Sequence, residues 1–220
     1  MRREELVTII PELCMSMGVQ KSITSEDGKR VISHMPISYF PYQLSQKTFQ
    51  KICILHEVWQ KLIVAVASDH KLMEKIAENM CKNDEFMKRL WDLYTQTKKE
   101  NSETVRIACT RVDYMGDEDP RLVEFNLMSV GLNGNSDKVQ ELGEIVDTAQ
   151  KENTFYPTSK NQTNICNQLV TAMEKNHSSD GIVVLVLHQP EFNFGDQNFF
   201  KLEMLKRGKI VVSLTVEQLL

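Results

Sequence analysis

Glu124 and Asn126 lie two positions apart in the stretch Val123-Glu-Phe-Asn-Leu-Met-Ser129. In an extended chain successive side chains point to opposite faces, so this pair shares one face while Val123, Phe125 and Leu127 share the other. The second face is oily and is expected to be buried. A carboxylate beside an amide oxygen is a pair of hard donors that suits Mg²⁺, which takes one or two protein ligands and fills its shell with water and phosphate oxygens. The same pattern equally describes a half-exposed strand that turns polar residues to water.

Other side chains could act beside this pair. Arg111 lies near the end of a β-branched run, Thr104 to Arg111, and an arginine there either pairs with the local aspartates or clamps a substrate carboxylate through two parallel hydrogen bonds. The small-residue turn from Met128 to Asn135 could aim backbone N–H groups at an anion. A later loop, His188 to Gly195, and the residues just past it offer Gln189, Glu191, Asn193, Asp196 and Gln197 at the carboxyl end of a strand, where open α/β sheets bind ligands. A solvated loop has a similar composition. The five histidines are scattered, and the five cysteines show no Cys-x-x-Cys pair, so reduced, mostly buried thiols are expected.

The elements that must position these residues follow from periodicity. Residues 4–17 have a helical rhythm interrupted by Pro11, and Gln20 to Tyr42 reads as an ordered loop. Ser45 caps a long, well-buried helix to Ser68. A weaker helix spans Asp69 to Lys82, and Asn83 caps another with the stripe Phe86, Met87, Leu90, Trp91, Leu93 and Tyr94. The strands Thr104–Arg111 and Arg121 onward pair antiparallel across the turn-rich stretch Gly116 to Pro120, which sets Arg111 beside the start of the second. Asn135 or Ser136 caps a helix to about Thr148. After a connection over residues 150–160 comes a helix through Ile165 and Met173, and then the polar run Lys175 to Gly181. Ile182–Leu187, a helix from about Asp196 to Arg207 and Lys209–Ser213 make one right-handed βαβ unit, with parallel strands buried on both faces.

The fold class is therefore α+β / α/β. A helical N-terminal region leads into a main domain with a β-hairpin, and an incomplete parallel βαβ domain follows. The expected division is 1–179 and 180–220. Two parallel strands and one helix cannot cover both faces of a sheet, so the architecture is expected to be cut off within that second domain. The net charge of −4 and the lack of a basic cluster argue against a nucleic-acid footprint. No run approaches the ~20 apolar residues of a membrane span, and the N-terminus has no signal-peptide core, so a cytoplasmic location is expected. Nine glycines form no phosphate-binding loop, so most of any nucleotide site must lie on other sequence.

Four runs in order, Phe86-Met-Lys-Arg-Leu-Trp-Asp-Leu-Tyr, Arg111-Val-Asp-Tyr-Met115, Glu124-Phe-Asn-Leu-Met-Ser129 and Glu191-Phe-Asn-Phe-Gly-Asp-Gln197, resemble the amino-terminal half of the eukaryotic glutathione synthetases. The resemblance covers essentially the whole chain. It implies part of an ATP-grasp architecture and an enzyme, usually a homodimer, that joins γ-glutamylcysteine to glycine through an acyl phosphate, with ATP and Mg²⁺. By the same resemblance Glu124 and Asn126 match magnesium ligands, Glu124 also lies at the nucleotide, and Arg111 matches an arginine on a substrate carboxylate. Met128, Ser129, Glu191, Asn193 and Gln197 match contacts to the dipeptide. No residue of this chain matches a catalytic acid, base or nucleophile.

The chain departs from the family at two points. Gly131 stands where the family has a second serine, and Phe192 where it has an arginine. Losing one charge-assisted contact costs ~1.5–3 kcal/mol, about tenfold to a hundredfold in affinity. The resemblance implies a ligase whose activity needs a carboxyl-terminal half, so this chain alone is expected to be inactive. The competing reading is a divergent, non-catalytic relative that binds a peptide or thiol or serves as an interaction module.

Overall fold

The computed structural model describes residues 3–39, 42, 44–97, 108–127, 130–150, 160–187 and 191–219. In chain order the elements are α1 (Arg3–Met17), β1 (Gln20–Thr24), β2 (Arg30–His34), α2 (Gln46–Ser68), α3 (His70–Met80), α4 (Glu85–Thr97), β3 (Arg111–Met115), β4 (Arg121–Asn126), α5 (Asn133–Gln150), α6 (Asn161–Lys175), β5 (Val183–Leu187), α7 (Phe194–Lys206), β6 (Val211–Thr215) and α8 (Val216–Leu219). They fall into two compact units, a split unit of Met1–Gln43 with Ser129–Leu220 and a middle unit of Leu44–Met128. Neither break coincides with the polar run Lys175 to Gly181. The split unit is joined by packing between segments far apart in sequence.

In the split unit α1 stays helical through Pro11. Its Leu6, Ile10 and Cys14, with Val19 just beyond, bury against Leu142 and Val146 of α5. Full burial of each large aliphatic side chain is worth roughly 1.5–3 kcal/mol relative to exposure. The expected loop over Gln20 to Tyr42 is instead largely a hairpin: β1 and β2 pair antiparallel with Ser22 opposite Ile32 and Thr24 opposite Arg30. Its turn is closed by Gly28 at φ 78° and by the Ser25 hydroxyl on the Lys29 carbonyl. Polar side chains on a two-stranded ribbon disguised it as a loop. Phe40 and Pro41 lie outside the described residues.

Helix α5 begins at Asn133, ahead of the expected cap at Asn135 or Ser136, because a carboxylate from another helix caps it. Helix α6 is treated alike. Lys160 at its N-cap supplies no side-chain bond, and the Asp137 carboxylate of α5 accepts the N–H groups of Asn161 and Gln162, each at 3.0 Å. Arg207, after α7, ties that helix to α6 through Asn167 Oδ1 at 2.8 Å and the Thr163 carbonyl at 3.3 Å, and reaches back to Glu203 Oε2 of α7 at 2.9 Å. Lys206 first, and then Arg207, hold the Glu203 carboxyl below the usual range against the opposing effect of burial.

β5 and β6 pair in parallel, Val183 opposite Val211, with α7 crossing between them and Gly208 at φ 68° closing that helix. Burial on both faces is not observed. Val184, Val186 and Val212 are exposed, because the alternate residues of a two-stranded sheet have no second layer over them.

In the middle unit Ser45 caps α2 as expected, its hydroxyl accepting the Thr48 N–H at 3.0 Å. Asp84, not Asn83, caps α4 by accepting from Met87 N at 3.0 Å. The long helix is not well buried: only Thr48 of α2 is inside, and Ile54, Val58, Leu62 and Val64 are exposed. Of the expected strand Thr104–Arg111, residues 104–107 lie outside the described residues, 108–110 are not in a strand, and β3 begins at Arg111. Two of the five thiols, Cys14 and Cys166, are buried, so the expectation of mostly buried thiols is not met. Burial pushes both of those thiols up.

Candidate functional site

The face bearing Glu124 and Asn126 is built by the β3–β4 hairpin. β4 ends at Asn126, so Leu127 is beyond the strand, and the register pairs Arg111 with Asn126, Val112 with Phe125 and Asp113 with Glu124 before a bulge beside Tyr114. Arg111 therefore stands opposite the end of β4, not its start, because the strand it belongs to runs forward from it. The parity of these three pairs brings Arg111, Asp113, Glu124 and Asn126 onto one face. On the other, Phe125 meets Trp59 of α2 edge to face, with ring centroids 5.4 Å apart. That face is only partly covered: Val123 and Leu127 are half exposed.

The four polar side chains form one network. Arg111 grips Asp113 through two parallel bonds, Nε to Oδ1 at 2.8 Å and Nη2 to Oδ2 at 3.1 Å. Asn126 Nδ2 donates to Asp113 Oδ2 and to Glu124 Oε1, each at 3.1 Å. Its amide nitrogen is thus turned toward the carboxylates and its oxygen away from them. The Arg111 guanidinium holds the Asp113 carboxyl below the usual carboxylate range, with burial opposing and Glu124 and Asn126 assisting. In return the Arg111 pKa is raised, chiefly by its bonds to Asp113.

The two readings left open for Arg111 can be weighed on this geometry. The bidentate edge of its guanidinium is taken by Asp113, so the ion-pair reading describes this state. Asp113 is the residue that sequence reasoning passed over, although Arg111-Val-Asp113 carries the alternating signal that puts both side chains on one face. Two carboxylates against one guanidinium leave the face net negative. Its oxygen donors, Glu124, Asp113 and the Asn126 amide, are of the kind a hard divalent cation prefers. Among the described residues no cluster of three or more His, Cys, Asp or Glu is placed to enclose a metal. The set therefore fits a cation that keeps water or phosphate in most of its shell, and does not fit a closed protein cage.

Of the remaining predicted residues, Glu191, Asn193 and Gln197 belong to the split unit. Met128 and Ser129 lie outside the described residues, as does Gln189. Glu191 and Asn193 fold onto each other, the Asn193 N–H donating to Glu191 Oε1 at 2.7 Å, and Gln197 sits half-buried in the first turn of α7. Beneath them Asp196, 9% exposed, accepts from Leu132 N, from Asn135 N at 2.8 Å, from Asn135 Nδ2 at 3.0 Å and from Asn193 Nδ2 at 2.9 Å. The anion facing the small-residue turn is thus the protein's own carboxylate, which caps α5 from α7. A Cβ built on Gly131 would stand 3.0 Å from Asn193 Nδ2, so the glycine lets the turn approach Asn193 closely.

A separate cleft of about 700 Å³ in the split unit is lined in part by Lys138, Glu141, Glu203 and Lys206. Its two ion pairs, Lys138 with Glu141 at 2.7 Å and Lys206 with Glu203 at 2.6 Å, already neutralise those lysines.

The sequence model of the family described as eukaryotic glutathione synthase, ATP binding domain, matches residues 1–194. The chain is 26% identical over 219 residues to the glutathione synthetase large chain of Schizosaccharomyces pombe, covering 85% of this chain and 44% of that protein. It is 24% identical over 227 residues to the glutathione synthetase of Homo sapiens, covering 98% and 48%. A solved structure of a glutathione synthetase-like effector from Globodera pallida, in its apo form, superposes with a TM-score of 0.80 at 16% identity, covering 97% of this chain and 49% of that one. The chain spans about half the length of the curated relatives it matches. No helix among the described residues is long and apolar enough to cross a membrane. On the match to residues 1–194, the chain belongs to the eukaryotic glutathione synthetase family, as an amino-terminal portion.

Proposed function

We propose that this chain supplies the amino-terminal part of an ATP- and Mg²⁺-dependent ligase that joins γ-glutamylcysteine to glycine. One observation carries the reading: the network of Arg111, Asp113, Glu124 and Asn126 on one face of β3–β4, in a chain of this family. In the proposed roles Glu124 and the Asn126 amide oxygen hold Mg²⁺, and Glu124 also approaches the nucleotide. When bound, the cation supplies charge neutralisation at phosphate oxygens. Asp113 positions both neighbours. It holds the Asn126 amide by its nitrogen, which must turn for the oxygen to join Glu124 on the cation, and it stores the Arg111 guanidinium until a substrate carboxylate takes one of its edges.

Met128, Ser129, Glu191, Asn193 and Gln197 are proposed to receive the dipeptide. Asp196 acts as a positioning residue there, since it holds both the Leu132–Asn135 backbone and the Asn193 amide. The division at 179/180 is kept as the proposed boundary of a substrate-binding domain. ATP-grasp architecture, homodimer assembly and a cytoplasmic location are proposed from the family alone.

The test is turnover. ATP, Mg²⁺, γ-glutamylcysteine and glycine are supplied to this chain and to the longest natural polypeptide that contains it, and ADP and tripeptide are followed. The expected result is product with the longer polypeptide only, because no phosphate-binding glycine loop occurs in these 220 residues. Turnover by the 220-residue chain alone, or ADP without tripeptide from the longer one, overturns the reading.

A further inference from the structure

The β1–β2 hairpin brings a charged group to the segment that carries Glu191 and Asn193. The Ser22 N–H donates to the Phe192 carbonyl at 3.4 Å, so β1 is docked on the residue between them. Thr24 is opposite Arg30 in the ladder and Ser22 opposite Ile32, which makes Ser22 and Arg30 diagonal neighbours on one face of the ribbon. Arg30 uses that relation: its Nε–H donates to Oγ of the buried Ser22. Its guanidinium lies over the Phe192 ring, 5.7 Å from the centroid. A hydroxyl on one edge and an aromatic ring against one face fix the plane of the group.

What Arg30 lacks among the described residues is a carboxylate. Arg89, Arg111, Arg121 and Arg207 each form an ion pair with an aspartate or glutamate. Among the described residues Arg30 forms no ion pair, and its side chain meets Ser22 and the Phe192 ring. The Nε edge is occupied, and the edge formed by its two terminal nitrogens is the one suited to a bidentate carboxylate. Arg30 is exposed on a strand, so it reaches a ligand without opening the core.

We propose that Arg30 is a specificity-determining residue that binds a carboxylate of the peptide substrate at the rim of the 191–193 segment. The assignment rests on the reading of that segment as part of the dipeptide site. The carboxylate assigned to Arg30 is the α-carboxylate of the glutamyl end.

Calorimetric titration of the longest natural polypeptide with γ-glutamylcysteine and with 4-aminobutyrylcysteine, which lacks that carboxylate, tests it. Wild type should bind the first about tenfold to a hundredfold more tightly than the second. Arg30→Gln should erase that preference while leaving the affinity for 4-aminobutyrylcysteine within about twofold, as expected for a lost charge-assisted contact. Phe192→Leu, which removes the ring but not the charge, should retain most of the preference. A preference that survives Arg30→Gln, or an equal loss for both peptides, overturns the assignment. If wild type binds neither peptide, the dipeptide reading itself fails. Arg30 is then judged by titrating sulfate while following its Nε–H resonance. A saturable shift at Arg30 that Arg89 does not share supports an anion site, and equal or absent shifts overturn it.

Discussion

Asp196 and Asp113 both organise candidate site residues, yet one is buried beneath four N–H donors in the split unit and the other lies on an open strand face in the middle unit. The split unit closes a core of Leu6, Ile10, Cys14, Val19, Leu142 and Val146, and Asp196 belongs to that closed framework. In the middle unit the ribbon is backed by Trp59 on Phe125, and the apolar residues of α2 and α4 remain in part exposed, Ile54, Leu62, Phe86 and Leu93 among them. Met73, Met80, Met87 and Trp91 line a groove of about 380 Å³. The difference lies in energetics. A buried carboxylate that satisfies buried donors is expensive to remove, whereas an exposed ion pair contributes little to stability and is free to exchange partners.

The largest effect should come from Asp196→Ala. Two backbone N–H groups and the amides of Asn135 and Asn193 would lose their acceptor, with Asn135 itself only 2% exposed. A loss of about 3 kcal/mol or more in urea denaturation is expected, against less than about 1 kcal/mol for Asp113→Ala. Similar values for the two would erase the distinction between the units. Asp196→Asn, which keeps one acceptor oxygen, should fall between them and remains measurable if the alanine variant does not fold.

Gly131→Ser should rank next. Its Cβ would meet Asn193 Nδ2 at 3.0 Å, and Asn193 cannot retreat without stretching its 2.9 Å bond to Asp196. The expected cost is roughly 1–2 kcal/mol, as for a modest overpacking. The serine should therefore not by itself raise dipeptide affinity in calorimetry. A stabilised variant that binds more tightly would show that Asn193 has room to move.

Much of this was legible in the sequence. The 2-residue period of Val123 to Asn126 located the polar face, and helical rhythm located every long helix. Asp113 is hidden when a strand is taken to end at Arg111; β3 runs forward from that arginine, and Arg111 and Asp113 alternate onto the face of Glu124 and Asn126. The role of Asp196 could not be read, since a carboxylate capping a helix begun more than sixty residues earlier leaves no local signal. The hairpin was hidden by its polar composition, and with it the placement of Arg30 above the Phe192 ring. Burial was misjudged in the middle unit because periodicity reports that one face is apolar, not that anything covers it.

A pH titration sharpens the comparison at smaller scale. The Asp113 carboxyl lies below its usual range, through Arg111 before any other cause. A group whose folded pKa is depressed adds stability that is complete above its unfolded value, about 3.9, and is lost as pH falls through the folded value. The stability difference between wild type and Asp113→Asn should accordingly be constant above about pH 5 and shrink on acidification below about 3.9. Its size should stay under about 1 kcal/mol, because the pair is a third or more exposed and is screened by solvent. A difference that grows on acidification would mean that the carboxyl is destabilised by Glu124 rather than held by Arg111.

The smallest effect belongs to Leu132, a non-glycine residue at φ 70° whose N–H is held by Asp196. The left-handed backbone costs a leucine roughly 1–2 kcal/mol, and the extra freedom of glycine in the unfolded chain returns about 0.4–1 of that. Leu132→Gly should therefore stabilise by roughly 0.5 kcal/mol, since the side chain is half exposed and little burial is lost. The informative measurement is the same substitution made in Asp196→Ala, or in Asp196→Asn where that is needed for folding. If the carboxylate imposes the left-handed turn, its removal lets the segment relax and leaves glycine nothing to relieve, so the two substitutions should be non-additive in a double-mutant cycle. Strict additivity would place the origin of the turn in the Val130–Asn133 backbone itself and reduce Asp196 to a cap that arrives after the turn has formed.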